Sequence, residues 1–155
     1  MSPNWCNDYL YIKGDKGQIA MFKEIIREHN TLFKKMQAKE DEKEPEECFL
    51  LKAFCPEPWN VGENWYGWRI ANWGCKWDVS DPEQLEDRAE HLEYRFDTPW
   101  GPPCAAFICI SRQFPKLTFE MEYSEPGMNF EGTFIVKNGN ILKNDQRQME
   151  QEVQI

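Results

Sequence analysis

The chain has 155 residues, a length that suits one domain around one core. Hydrophobic residues make up 41% and charged residues 29%, a balance that excludes a disordered polymer. The formal net charge is −9 and no basic stripe is present, so long nucleic acid is not an expected partner.

Much of the acidity is local. Residues 37–47 carry Glu40, Asp41, Glu42, Glu44, Glu46 and Glu47 against Lys39 and Lys43. Residues 144–155 add Asp145, Glu150 and Glu152 against Arg147. Both read as solvated segments, a variable loop and a polar tail after a domain at 1–143. The longest apolar run, residues 104–110, falls far short of the ~20 residues that span a bilayer. The opening residues show no basic or apolar leader pattern, so a cytoplasmic setting is expected. Six Cys form no C-x-x-C pair, and His29 and His91 lack zinc-ligand spacing with them. Reduced thiols, no metal and no cofactor are the expectation.

Taken in chain order, Trp5 to Lys13 alternates as a strand, with Cys6, Asp8, Leu10 and Ile12 on one face and Tyr9 and Tyr11 on the other. Ile19, Phe22, Ile25, Ile26, Phe33 and Met36 recur at helical spacing and predict a helix over about 16–36. Residues 49–55 read as a second strand stopped by Pro56 and Pro58. Residues 56–89 hold five of the seven Trp and read as an insertion, with a helical turn near 64–72 and a short strand at 75–79.

Leu92, Tyr94 and Phe96 alternate with charged residues as another strand. Pro102 and Pro103 open a helix whose core face carries Phe107, Ile110 and Phe114. Leu117, Phe119, Met121 and Tyr123 mark the cleanest strand, and Phe130, Gly132, Phe134 and Val136 the next. Asn138-Gly139 predicts a hairpin returning through Ile141 and Leu142. The order β-α-β-β-α-β predicts an α+β, ferredoxin-like fold: one antiparallel sheet, two helices on one face and an added C-terminal hairpin. The other face is left open or covered by the Trp-rich insertion.

Four motifs then point to a family. Pro3-Asn4-Trp5-Cys6 with Leu10, Asn72-Trp73-Gly74-Cys75-Lys76-Trp77-Asp78, residues 96–103, and the closing pattern from Phe114-Pro115 to Gly132 resemble the YubB ferredoxin-like domain proteins of phages and plasmids. In the second motif Cys75 replaces the usual Thr; in the third Gly101 replaces Ser. The resemblance implies the fold, a mobile-element origin and the cytoplasm of a bacterial host. It brings no catalytic residues.

The insertion is the first candidate site. Trp65, Trp68 and Trp73 supply stacking faces, Arg69 and Lys76 positive charge, and Asn72 and Asp78 polar edges, a set that suits a planar or phosphorylated ligand or a host protein. The competing structural reading is a second small core. Trp100 precedes a helix N-terminus, or simply forms a rigid corner. Glu125 is a candidate acid, though Glu125-Pro126-Gly127 reads most simply as a turn with Gly127 at positive φ. Strand geometry at 75–79 predicts Trp77 buried and Lys76 exposed on the opposite side.

No nucleophile elbow, phosphate loop or zinc-protease motif is present. The leading expectation is therefore a non-catalytic binding protein of a phage or plasmid, acting against or alongside host functions. One alternative is an enzyme acting on a nucleotide-like phosphorylated metabolite, with Asp78 or Glu125 as acid–base group and Arg69 and Lys76 holding charge. Another is an acidic mimic that blocks a nucleic-acid-binding host protein through residues 37–47 and the tail.

Overall fold

The structure is a computed structural model that describes residues 3–36 and 48–150. The charged run 37–47 and the last residues of the tail lie outside the described residues. Six strands form one antiparallel sheet: β1 (Trp5–Gly14), β2 (Ser80–Arg88), β3 (His91–Pro99), β4 (Leu117–Glu125), β5 (Phe130–Lys137) and β6 (Asn140–Gln148). Their spatial order is β2-β3-β1-β4-β5-β6. The first four in that order make the ferredoxin-like unit, and the last two extend its β4 edge.

Three helices lie among them: α1 (Lys16–Met36), α2 (Trp65–Asn72) and α3 (Cys104–Gln113). The even positions of β1 turn inward, as alternation requires. Cys6, Leu10 and Ile12 meet Leu92, Tyr94 and Phe96 from β3 and Leu117, Phe119 and Met121 from β4 in one core. Phe22 of α1 sits at the centre of that core, its ring 4.5 Å from Phe54, 5.4 Å from Phe114 and 6.1 Å from Phe119. Ala106, Phe107 and Ile110 bring α3 onto the same layer.

Two sequence expectations need correction. Residues 49–55 are not a strand; Leu51–Ala53 is a single 3-10 turn. Phe49, Leu51, Phe54 and Cys55 are all buried, and a short, mostly apolar run fits strand and helix alike. The second strand of the unit is instead β2, which lies within the expected insertion at 56–89. Its sequence Ser80-Asp81-Pro82-Glu83-Gln84-Leu85-Glu86-Asp87-Arg88 has no apolar face because it is a sheet edge, with Pro82, dense charge and two register shifts. β6 is the other edge. All nine of its residues are exposed, and it carries the hairpin into residues that read as tail.

The Trp-rich segment leaves most of the outer sheet face open. Trp73 Nε1 and the loop after α2 pack toward the helical layer, where Ala106 N donates to Trp73 O at 3.3 Å. Gly74 permits this approach: it holds φ +84°, and a Cβ there would sit 3.3 Å from the amide nitrogens of Cys104 and Ala105. Among the described residues no helix is long and apolar enough to cross a membrane. All six Cys are free thiols.

Candidate functional site

The residues singled out around α2 are largely consumed by architecture. Arg69 ion-pairs with Glu57, donates from Nη1 to Lys76 O at 3.2 Å, and lies 4.9 Å from the Trp65 ring and 5.3 Å from the Trp73 ring. Asn72 Nδ2 donates to Trp68 O at 2.8 Å. Trp73 is buried, donates to Cys55 O at 2.9 Å and meets the edge of Trp68 at 5.6 Å. The Asp78 carboxylate accepts from the backbone N–H groups of Leu51 (2.7 Å), Lys52 (3.0 Å) and Val79 (2.7 Å). Burial raises the pKa of Asp78, and those three N–H groups pull it partly back.

The 75–79 stretch is an irregular loop rather than a strand, and the expectation for its side chains reverses. Trp77 is 38% exposed, and Lys76 Nζ lies 4.8 Å over its ring. The two therefore share one surface. The buried indole of the motif is Trp73. Without strict alternation, neighbours on the chain are free to turn to the same side.

Glu125 belongs to another place, the inner end of β4. It is fully buried, and neither carboxylate oxygen has a hydrogen-bond partner among the described residues. Asn4 and Gly127 press against it: a Cβ on Gly127 would lie 2.6 Å from Asn4 Cγ and 2.8 Å from Glu125 Oε1. Gly127 is thus required for space. The positive φ of this turn falls on Asn129, at +60°.

Nearby, Asp8 is buried on β1. Thr98 Oγ1 lies 2.6 Å from Asp8 Oδ2 and 2.6 Å from Gly101 O. A threonine hydroxyl has one hydrogen, so it cannot donate to both acceptors. The arrangement closes when Asp8 is protonated and donates to Thr98, which donates to Gly101. Burial indeed pushes the Asp8 pKa well up, against the lowering effect of its Thr98 and Cys6 contacts.

A raised folded-state pKa gives stability that is complete below the unfolded value, about 3.9, and is lost as pH rises through the folded value. Asp8→Asn should therefore gain thermal stability over wild type as the pH is raised from about 4 to 8, because Asn cannot ionise. A pH-independent difference in melting temperature between the two proteins would show that Asp8 is not held neutral.

The outward face of the sheet is where exposed recognition chemistry gathers. Register pairing places Glu93, Tyr11, Glu120 and Ile135 in one row across β3, β1, β4 and β5. The next row is Arg95, Tyr9, Glu122 and Thr133, and the next Asp97, Asn7, Ser124 and Glu131. Tyr9 is 38% exposed and Tyr11 half-buried. Arg95 Cζ lies 5.9 Å from the Tyr9 ring. Burial raises the Tyr11 pKa first, and Glu122, Glu93 and Glu120 raise it further. An open concavity of about 260 Å³ adjoins Tyr9 and Glu122.

At one end this stripe runs into exposed indoles. Trp5 continues the Tyr11–Tyr9 side of β1, and its ring lies 6.4 Å from that of Trp77. Trp100 follows Pro99, the cross-strand partner of Trp5; it is 53% exposed, and its N–H donates to Asn4 O at 2.8 Å. It holds φ +69°, an unusual conformation for a bulky residue. The sequence marks Trp100 and Lys76 as candidates but not Tyr9, Tyr11, Glu120 and Glu122. The available signal was aromatic residues on the strand face opposite the core.

Among the described residues no group of three or more His, Cys, Asp or Glu is placed to hold a metal. No curated protein matches the chain. The crystal structure of a protein api92 from Yersinia pseudotuberculosis is similar in fold, with a TM-score of 0.66 at 11% identity, over 97% of this chain and 100% of that one. Residues 72–154 match the family described as the ferredoxin-like domain in Api92-like protein. With more than half its length matched, the chain belongs to that family of Api92-like ferredoxin-like domains.

Proposed function

We propose that the protein is a non-catalytic binding protein of a phage or plasmid, acting in the bacterial cytoplasm on a host protein through the outward sheet face and its indole end. One observation carries this reading: Trp5, Trp77 and Trp100 are exposed at one end of the sheet, and Tyr9 is exposed farther along the same face of β1. Exposed aromatic clusters of this kind act as anchors in protein interfaces. The chemistry that an enzyme would need is used otherwise, since Arg69 and Asp78 are tied to backbone and Glu57, and Glu125 is sealed within the fold. The mobile-element origin rests on the four motifs that resemble the YubB proteins. Action against host defence fits an accessory protein of such an element.

Affinity capture from bacterial host lysate, followed by mass spectrometry of proteins and small molecules, tests the proposal. Wild type should retain a host protein, and Trp5→Ala/Trp100→Ala should retain it at least about tenfold less, roughly 1.4 kcal/mol of affinity. Thermal melts of the variant should stay close to wild type. Capture of a small phosphorylated molecule that the protein then converts would overturn it.

A further inference from the structure

The open sheet face has a charge pattern that specifies more about its partner, on the reading just given that this face binds a protein. Directly opposed residues on neighbouring antiparallel strands have Cβ atoms about 4.5–5.5 Å apart. Tyr11 is opposed by Glu93 on one side and Glu120 on the other, and Tyr9 by Glu122. In the three central rows five carboxylates, Glu93, Asp97, Glu120, Glu122 and Glu131, stand against Arg95, and on β6 the same rows continue into Lys143, Asp145 and Arg147. Glu131 is paired with Arg147 at 3.3 Å, and Glu93 with His91 at 2.7 Å. Glu120 and Glu122 have no ion-pair partner among the described residues. They lie two residues apart on one strand and project to the same side.

Like charges placed side by side on a sheet destabilise it unless something compensates them. A tyrosine ring bordered by carboxylates is suited to an ammonium or guanidinium group, which gains from ring face and charge together. The fold already makes one such contact, Arg95 over Tyr9. The same carboxylates repel phosphates, so a nucleic acid does not fit here.

We propose that this face docks a basic polypeptide segment of the partner, seating a lysine or arginine side chain over Tyr11 between Glu93, Glu120 and Glu122. The exposed indoles of Trp5 and Trp77 take the apolar residues next to it. Charge complementarity selects a cationic segment, and the length of the stripe, from Tyr11 to Trp5, suits an extended chain rather than a single small cation.

The test uses the full chain and an alternating lysine–serine peptide of about ten residues, with a glutamate–serine peptide of equal length as control. Binding is read by calorimetry and by amide shifts in NMR. The lysine peptide should bind, shift Tyr9, Tyr11, Glu120 and Glu122 resonances, and weaken as salt is raised. Glu120→Gln/Glu122→Gln should weaken it at least about tenfold, with a melting temperature equal to or above that of wild type. Deleting residues 37–47 should leave it intact.

Unchanged affinity in the double glutamine variant overturns the proposal, as does loss of binding on deleting 37–47. Spermine competing as well as the peptide at equal charge overturns the polypeptide assignment. The host-capture experiment separates this from the broader reading. If Trp5→Ala/Trp100→Ala loses the host partner while the double glutamine variant keeps it, binding at this end stands and the basic segment falls. If neither variant loses it, both fall.

Discussion

Trp73→Ala is expected to destabilise the protein by about 3–5 kcal/mol, the range for truncating a buried large aromatic. The indole is 3% exposed, and its Nε1–H donates to Cys55 O. Trp68 and Arg69 pack on it from α2, and its own backbone carbonyl receives Ala106 N from α3. Truncation opens a cavity, strands the Cys55 carbonyl, and removes the ring that Arg69 covers. Trp77→Ala should cost only about 1 kcal/mol or less, because that ring is more than a third exposed. Urea denaturation of both variants checks the contrast. Equal losses, or a larger loss at Trp77, would show that the loop after α2 packs differently.

Asp78→Ala should cost on the order of 3 kcal/mol, because three backbone donors lose their acceptor in a largely buried place. Asp78→Asn should be much milder. Oδ1 receives both Leu51 N and Val79 N, so an amide oxygen in that position keeps two of the three contacts and gives up only that of Lys52 N with Oδ2. Denaturation midpoints for the pair should fall in the order wild type, Asn, Ala. A catalytic Asp78 would give the reverse signature, a silent change in stability with lost turnover. An Ala variant as stable as wild type would show that the 3-10 turn at Leu51–Ala53 does not depend on this carboxylate.

Much of the candidate surface was present in the sequence without being marked as such. The strand at 5–13 reads correctly, with Tyr9 and Tyr11 on the face away from the core. What alternation does not reveal is which strands flank it. Tyr11 becomes a cation-binding candidate only because β3 and β4 bring Glu93 and Glu120 to its two sides. Those residues are 82 and 109 positions away in the chain. Trp100 was legible as a corner, while its proximity to Asn4 required the sheet.

The elements that the sequence by itself determined are those with a regular apolar period and a buried face: β1, α1, β3, α3, β4 and β5. Burial on one face imprints a period of 2 or 3.6 residues, so local pattern and tertiary position agree there. Asn138-Gly139 also marks the turn into β6, and the helical turn expected near 64–72 is α2; tertiary structure decided the extent of β6 and the remaining elements. β2 and β6 are edge strands, held by ladder hydrogen bonds to one neighbour, and their exposed side chains carry no period. Residues 49–55 bury Phe49, Leu51, Phe54 and Cys55 with no strict period of 2 or 3.6, and the stacking of Phe49 and Phe54 on Phe22 and the carboxylate of Asp78 fix a turn there. In the loop after α2, the choice of Trp73 over Trp77 as the buried indole depends on the close approach of Gly74 to α3, a contact between segments about 30 residues apart that no local pattern encodes.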